Sequence, residues 1–206
     1  MESNRKMKKI GVLGGTFDPF HYGHLSIAKS ALEEFELDEI FLMPAHVQPF
    51  KVGKSITDPV HRVNMVKLIA QEYAGFNTIT KEAFTEEISY TYRTLCNLRE
   101  ELGECRIYFV LGTDSFLNIE SWYKAPDLLR DFSIIVGERP GYRETEVLDL
   151  KNKLKEKYGA DIGILNNHIL QISSTEIKEN IRQGKSIDHM VPASIERYIR
   201  EHGLYN

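Results

Sequence analysis

Two histidines three residues apart follow a pair of glycines in the run Gly14-Gly15-Thr16-Phe17-Asp18-Pro19-Phe20-His21-Tyr22-Gly23-His24. Adjacent glycines let main-chain N–H groups approach an anion with no Cβ in the way, and Asp18-Pro19 favours a fixed turn. His21 and His24, in or beside the first turn of a following helix, can both address one phosphate. Phosphoryl-type transfer demands positioning and positive charge on developing negative oxygens, which paired imidazoles beside a helix N-terminus supply. Taken alone, the same residues fit a glycine-rich turn with two surface histidines equally well. A metal site is the weaker option, because no third His, Cys or carboxylate stands at metal-binding spacing nearby. The glycines Gly11, Gly14 and Gly15 do not spell Gly-x-Gly-x-x-Gly, which disfavours a dehydrogenase.

A second candidate lies far along the chain, at Ile172-Ser173-Ser174-Thr175-Glu176-Ile177-Lys178. Ser173 or Ser174 can cap a helix whose free first-turn N–H groups form an anion site. Ser173 with Glu176 also reads as a plain capping box that requires no ligand. Asp114, after the apolar run Arg106 to Leu111, stands where it can accept bonds from ribose hydroxyls, and it also reads as an N-cap; the two roles can coexist. Trp122, the only tryptophan, either stacks on a flat heteroaromatic ligand or packs into the core.

The elements that must position these residues alternate along the chain. Apolar runs at Ile10 to Leu13, Glu39 to Met43, Asn77 to Lys81, Arg106 to Leu111 and Phe132 to Gly137 predict strands. Helical spacing covers Leu25 to Phe35, Asp58-Pro59 to about Tyr73, the Leu95, Leu98 and Leu102 stripe ending at Gly103, and a charged helix over Glu146 to Tyr158. Two more helices, about Ser174 to Gln183 and Pro192 to His202, close the chain. This order predicts an α/β fold, a Rossmann-like parallel sheet of about five strands flanked by helices, with a small C-terminal helical part. In such a sheet, ligands bind at the carboxyl ends of the strands, where Gly14 to His24 falls.

At 206 residues the chain suits one domain, residues 1–206, with 1–7 read as a flexible N-terminal extension. A net charge of −4 argues against a general nucleic-acid binder but leaves a small anionic substrate open. Cys96 and Cys105 form no Cys-x-x-Cys pair, so neither a disulfide framework nor a zinc site is expected. The apolar stretch after the basic start is too short for a signal peptide or membrane span, and the expected location is the cytoplasm.

The run Gly-Gly-Thr-Phe-Asp-Pro-x-His-x-Gly-His resembles the signature of the nucleotidyltransferase superfamily related to class I aminoacyl-tRNA synthetases. Within that group the chain is most similar to the bacterial nicotinate-nucleotide adenylyltransferase family. The resemblance implies transfer of the adenylyl group of ATP to nicotinate mononucleotide, giving nicotinate adenine dinucleotide and pyrophosphate, with Mg²⁺ carried in on ATP. It implies ATP binding by Gly14, Gly15, Thr16, Phe17, His21, His24, Asp114, Ser173, Ser174, Thr175 and Arg182, with His21, His24, Lys51 and Lys178 as the catalytic set. Thr16, Tyr90, Thr91, Trp122 and Arg139 would surround the pyridine nucleotide. Two positions depart from the family pattern: Phe50 stands for a usual histidine beside Lys51, and Lys178 for a usual arginine. Lys keeps the charge but loses the bidentate fork. The rival readings are an adenylyltransferase for nicotinamide mononucleotide or phosphopantetheine, a more remote cytidylyltransferase, and a nucleotide-binding regulator without turnover.

Overall fold

A computed structural model describes residues 7–45, 56–84, 90–138, 144–166 and 170–206. Lys51, Phe50 and Arg139, and the proposed N-terminal extension apart from Met7, lie outside them.

Six strands form one parallel sheet: β1 (Lys8–Gly15), β2 (Glu39–Pro44), β3 (Phe76–Thr78), β4 (Cys105–Gly112), β5 (Ser133–Gly137) and β6 (Ile162–Ile164). Their spatial order is β3-β2-β1-β4-β5-β6. The chain therefore builds outward in one direction from β1 to β3, then returns to the other flank of β1 with β4. That reversal opens a crevice at the carboxyl ends of β1 and β4, the position where doubly wound sheets take ligands. Register fixes it: Leu13 of β1 pairs with Leu42 of β2 on one side and Val110 of β4 on the other.

Alternation along the strands divides the core between the two faces. Ile10 and Val12, Ile107, Phe109 and Leu111, and Ile134 and Val136 pack on one side, while Leu13, Tyr108, Val110 and Ile135 pack on the other. The second face is covered by α1 (Tyr22–Glu34), α2 (Pro59–Glu72) and the C-terminal helices α7 (Ser174–Arg182) and α8 (Ala193–Glu201). The first is covered by α3 (Thr91–Leu102), the single turn α4 (Thr113–Phe116), α5 (Ala125–Asp131) and α6 (Glu144–Tyr158). None of the described helices is long and apolar enough to cross a membrane.

Three expectations shift. The sixth strand, β6, was not legible because it is three residues long and interrupted by Gly163. Gly163 stands where the Phe35 ring closes to 2.2 Å from the position a Cβ would take, so an apolar alternation cannot continue there. The third strand is shorter and earlier than Asn77 to Lys81: it pairs with β2 alone, and after it the chain turns into a 3₁₀ segment at Lys81–Phe84. Helix α1 begins at Tyr22 rather than Leu25, because its first turn is set by a histidine cap and not by core-facing residues.

Candidate active site

The turn after β1 is built around Phe17. Its backbone is left-handed at φ 49°, and its ring is buried against Phe20 at 5.5 Å and edge-on to His24 at 5.0 Å. That ring explains Gly15, where a Cβ would meet Phe17 Cε1 at 2.8 Å. The next peptide bond, Asp18-Pro19, is cis. Together these residues turn the chain sharply between the end of β1 and the start of α1.

His21 caps α1. Its Nδ1 accepts the Gly23 N–H at 3.1 Å, while His24 Nδ1 accepts the His21 N–H at 3.3 Å, a capping box made from two imidazoles. The rings stack with centroids 3.7 Å apart and both are buried. An Nδ1 that accepts a main-chain N–H carries no proton, so the neutral form of each ring bears its proton on Nε2. The structure thus presents two stacked imidazoles, their planes 26° apart, whose neutral forms carry the proton on Nε2, at a helix N-terminus already favourable to anions. The alternative of two surface histidines does not hold.

The second candidate segment comes to the same place. Ser174 donates from Oγ to the Pro19 carbonyl at 3.2 Å, and Lys178 Nζ forms an ion pair with Asp18. Residues 155 and 160 positions apart in sequence therefore meet at the turn. Ser173 caps α7, its Oγ accepting the Glu176 N–H at 3.1 Å, so the capping reading is correct for Ser173 while Ser174 joins the loop. Thr175 is exposed in the first turn of α7. Arg182 is exposed and pairs with Glu179 at 3.6 Å, one turn beyond the loop contact of Lys178.

Asp18 is the residue whose role sequence reasoning missed. Its carboxylate, nearly buried, accepts from Lys178, from the Tyr205 hydroxyl at 2.8 Å and from the Thr57 N–H at 3.3 Å. Burial opposes its charge, but the bonds from Lys178, Thr57 and Tyr205 outweigh that and hold it below the usual carboxylate range. Burial first and Asp18 second push the Tyr205 phenol well above its ordinary value, so it stays a donor. Arg62, on the core-facing side of α2 and 1% exposed, donates to three carbonyls: Thr16 at 2.9 Å, Ala45 at 2.7 Å and Thr57 at 3.1 Å. The available signal was an arginine in step with Val63, Met65, Val66 and Ile69 on an inward helix face.

On the other side of the crevice, Asp114 lies in the first turn of α4, after β4. The cap there is Gly112, so the N-cap alternative for Asp114 is wrong. Thr113 anchors this turn by donating to the Gly137 carbonyl at 3.2 Å, tying the ends of β4 and β5 together. Tyr90 precedes α3, Thr91 opens it, and the Tyr90 ring lies 4.3 Å from that of Tyr123. Trp122 is half-buried, edge-on to Phe109 at 6.0 Å. The Phe109 ring in turn lies 3.2 Å from where a Gly14 Cβ would be, so this aromatic run starts at the glycine turn. Trp122 thus packs against the core on one edge and remains partly open.

Comparison with known proteins places the chain in a family. The model of the cytidylyltransferase-like family matches residues 12–180. A Clostridium botulinum protein named "Probable nicotinate-nucleotide adenylyltransferase" is 37% identical over 199 residues, covering 97% of this chain and 98% of its own. A protein of the same name from a Thermoanaerobacter species is 36% identical over 198 residues, covering 96% and 94%. The solved structure of Plasmodium falciparum nicotinic acid mononucleotide adenylyltransferase complexed with NaAD shares the fold, with a TM-score of 0.76 at 23% identity over 96% of this chain and 97% of that one. With matching near full length at both levels, the chain belongs to the cytidylyltransferase-like family and, within it, to the nicotinate-nucleotide adenylyltransferases.

Proposed function

We propose that the chain, working as one nucleotidyltransferase domain, transfers the adenylyl group of ATP to nicotinate mononucleotide, giving nicotinate adenine dinucleotide and pyrophosphate. The observation that carries this reading is the meeting of the stacked His21–His24 pair with the Ser174 end of α7 at the turn after β1. In the reaction, a 5′-phosphate oxygen of the mononucleotide forms a bond to the α-phosphorus of ATP as the bond to the bridging oxygen of pyrophosphate breaks. No covalent enzyme intermediate is required. The Nε2–H donors of His21 and His24 stabilise the negative charge that gathers on the α-phosphoryl oxygens. The glycine turn from Gly14 to Phe17, with Ser173, Ser174 and Thr175 at the start of α7, holds the triphosphate through main-chain and hydroxyl donors.

Lys178 takes a double role in this scheme. Its pairing with Asp18 ties α7 to the glycine turn, and its charge would add to the phosphate site from there. Lys51 and Arg182 would add charge from further out. Asp114 would accept from the ribose of ATP, and Thr16, Tyr90, Thr91, Trp122 and Arg139 would form the pyridine side. Among the described residues no group of three or more His, Cys, Asp or Glu is arranged to hold a metal ion. Mg²⁺ would enter on the triphosphate, where it would supply charge neutralisation. The expected setting is the cytoplasm, where ATP and pyridine nucleotides are available.

The test is pyrophosphate release by the purified protein with ATP and, in separate reactions, nicotinate mononucleotide, nicotinamide mononucleotide and phosphopantetheine. Preference for the first supports the reading, preference for another replaces the substrate, and no release with any of them overturns catalysis.

A further inference from the structure

We infer that Arg62 is a positioning residue which sets the direction of the Thr16–Phe17 peptide, making the Phe17 N–H a fixed donor to the triphosphate. The inference rests on the phosphate-binding reading of the glycine turn.

The argument starts from what it takes to keep this guanidinium where it is. A 1% exposed arginine has lost nearly all its hydration, and burial pulls its pKa down. Such a group persists only where its fork is well supplied with acceptors, and a well-packed apolar side chain would serve stability as well or better. An apolar side chain cannot do one thing that Arg62 does, which is to fix the orientation of main-chain carbonyls. Among the described residues, acceptors for it come from three separate segments: Thr16 in the turn after β1, Ala45 after β2, and Thr57 before α2. The second and third of these are tied to the turn again. The Ala45 N–H donates to the Gly15 carbonyl at 2.9 Å, and the Thr57 N–H donates to Asp18 at 3.3 Å. Arg62 is thus the centre of a closed circuit of bonds around the residues Gly15 to Asp18.

Within that circuit one peptide is turned against its natural preference. The angle φ of Phe17 is 49°, which a non-glycine residue rarely adopts. Relative to an ordinary value near −60°, this swings the Thr16–Phe17 peptide by about 110°. The swing is what brings the Thr16 carbonyl to Arg62, and burial of the Phe17 ring holds the other side of the residue. In a trans peptide the N–H points opposite the C=O. With the carbonyl held by Arg62, the Phe17 N–H therefore points the opposite way. Among the described residues no main-chain carbonyl accepts from it. A strained main-chain orientation held by a buried cation is a means of pre-organising a donor before substrate arrives.

Thr16–Phe17 is the only Thr-Phe step in the sequence, which makes the idea testable at a single atom. Protein labelled with ¹³C-carbonyl threonine and ¹⁵N-phenylalanine gives one amide correlation, that of Phe17. Titration of the wild-type protein with ATP alone should move that correlation. Arg62→Lys keeps the charge but not the fork, and should show a displaced starting position and a weakened response to ATP. Its kcat should fall about 10- to 100-fold, as for loss of a fixed donor whose bond strengthens as charge builds in the transition state. A purely structural arginine would lower the melting temperature and leave kcat of the folded protein unchanged. A Phe17 correlation that stays still while ATP binds overturns the inference, as does a folded Arg62→Lys protein with wild-type kcat. If Arg62→Lys does not fold, the wild-type titration decides. Failure of the proposed function looks different, since pyrophosphate release would then be missing in the wild-type protein.

Discussion

Replacing His24 by asparagine separates the two jobs that its imidazole performs. Nδ1 completes the cap of α1 by accepting the His21 N–H, and the ring lies between Phe17 and Phe20 at centroid distances of 5.0 and 5.4 Å. Nε2 is the proposed donor to the α-phosphate. Asparagine places its Oδ1 close to where Nδ1 stood, so the cap bond survives and the helix start is kept. What is lost structurally is the outer part of one buried ring, a cost of about 1–2 kcal/mol by analogy with other partial truncations in a core. What is lost chemically is the Nε2–H. Removing one donor of this kind lowers kcat by about 10²- to 10³-fold, equivalent to about 2.7–4 kcal/mol of transition-state stabilisation. His24→Ala removes both functions, and should show the same loss of turnover with a further loss of stability of about 1 kcal/mol for the missing cap. The assay is pyrophosphate release at saturating ATP and nicotinate mononucleotide, run beside thermal melting of each variant. A folded His24→Asn protein that turns over within about 3-fold of wild type would refute the donor role of Nε2, since 3-fold is well under the loss expected for a single donor.

Acidification should weaken the protein at a defined place. Asp18 is held below its ordinary carboxylate value, so the stability it contributes is present in full above about pH 4 and is lost as pH falls through its folded-state value. Urea melts between pH 6 and pH 3 should show this acid arm, and Asp18→Asn should flatten it. Trp122→Ala should raise the KM for nicotinate mononucleotide by about 5- to 150-fold, the equivalent of 1–3 kcal/mol of stacking, with the ATP KM little changed. An unchanged KM in steady-state kinetics would reassign Trp122 to its contact with Phe109. Gly15→Ala sets a methyl group 2.8 Å from the Phe17 ring, and should cost about 1–3 kcal/mol in chemical denaturation together with most of the turnover.

Much of the fold follows from local patterns. Periodicities of 2 and 3.6 residues mark most strands and helices, and their alternation leads to a parallel sheet with its crevice at the carboxyl end of β1. The glycines and histidines of Gly14 to His24 were legible for a related reason, because a phosphate turn is made by neighbours in sequence. Elements failed where the local signal was small. β6 has three residues and a central glycine, and the α1 start rests on an imidazole cap in place of the usual Ser, Thr, Asp or Asn.

What the sequence could not contain is which polar groups meet across long separations. Asp18 reads locally as a turn residue, and only the packing of α7 and the C-terminal end against the glycine turn makes it the acceptor for Lys178 and Tyr205. Lys178 read as a phosphate ligand, and the tertiary structure gives it a carboxylate partner. Arg62 shows as a charge out of place on an inward helix face, but its meaning depends on carbonyls brought together from three segments. Local sequence determines backbone conformation because the forces that set it act between near neighbours. Chain closure in three dimensions decides the partners of buried charges, because their cost is met only by groups that folding itself assembles.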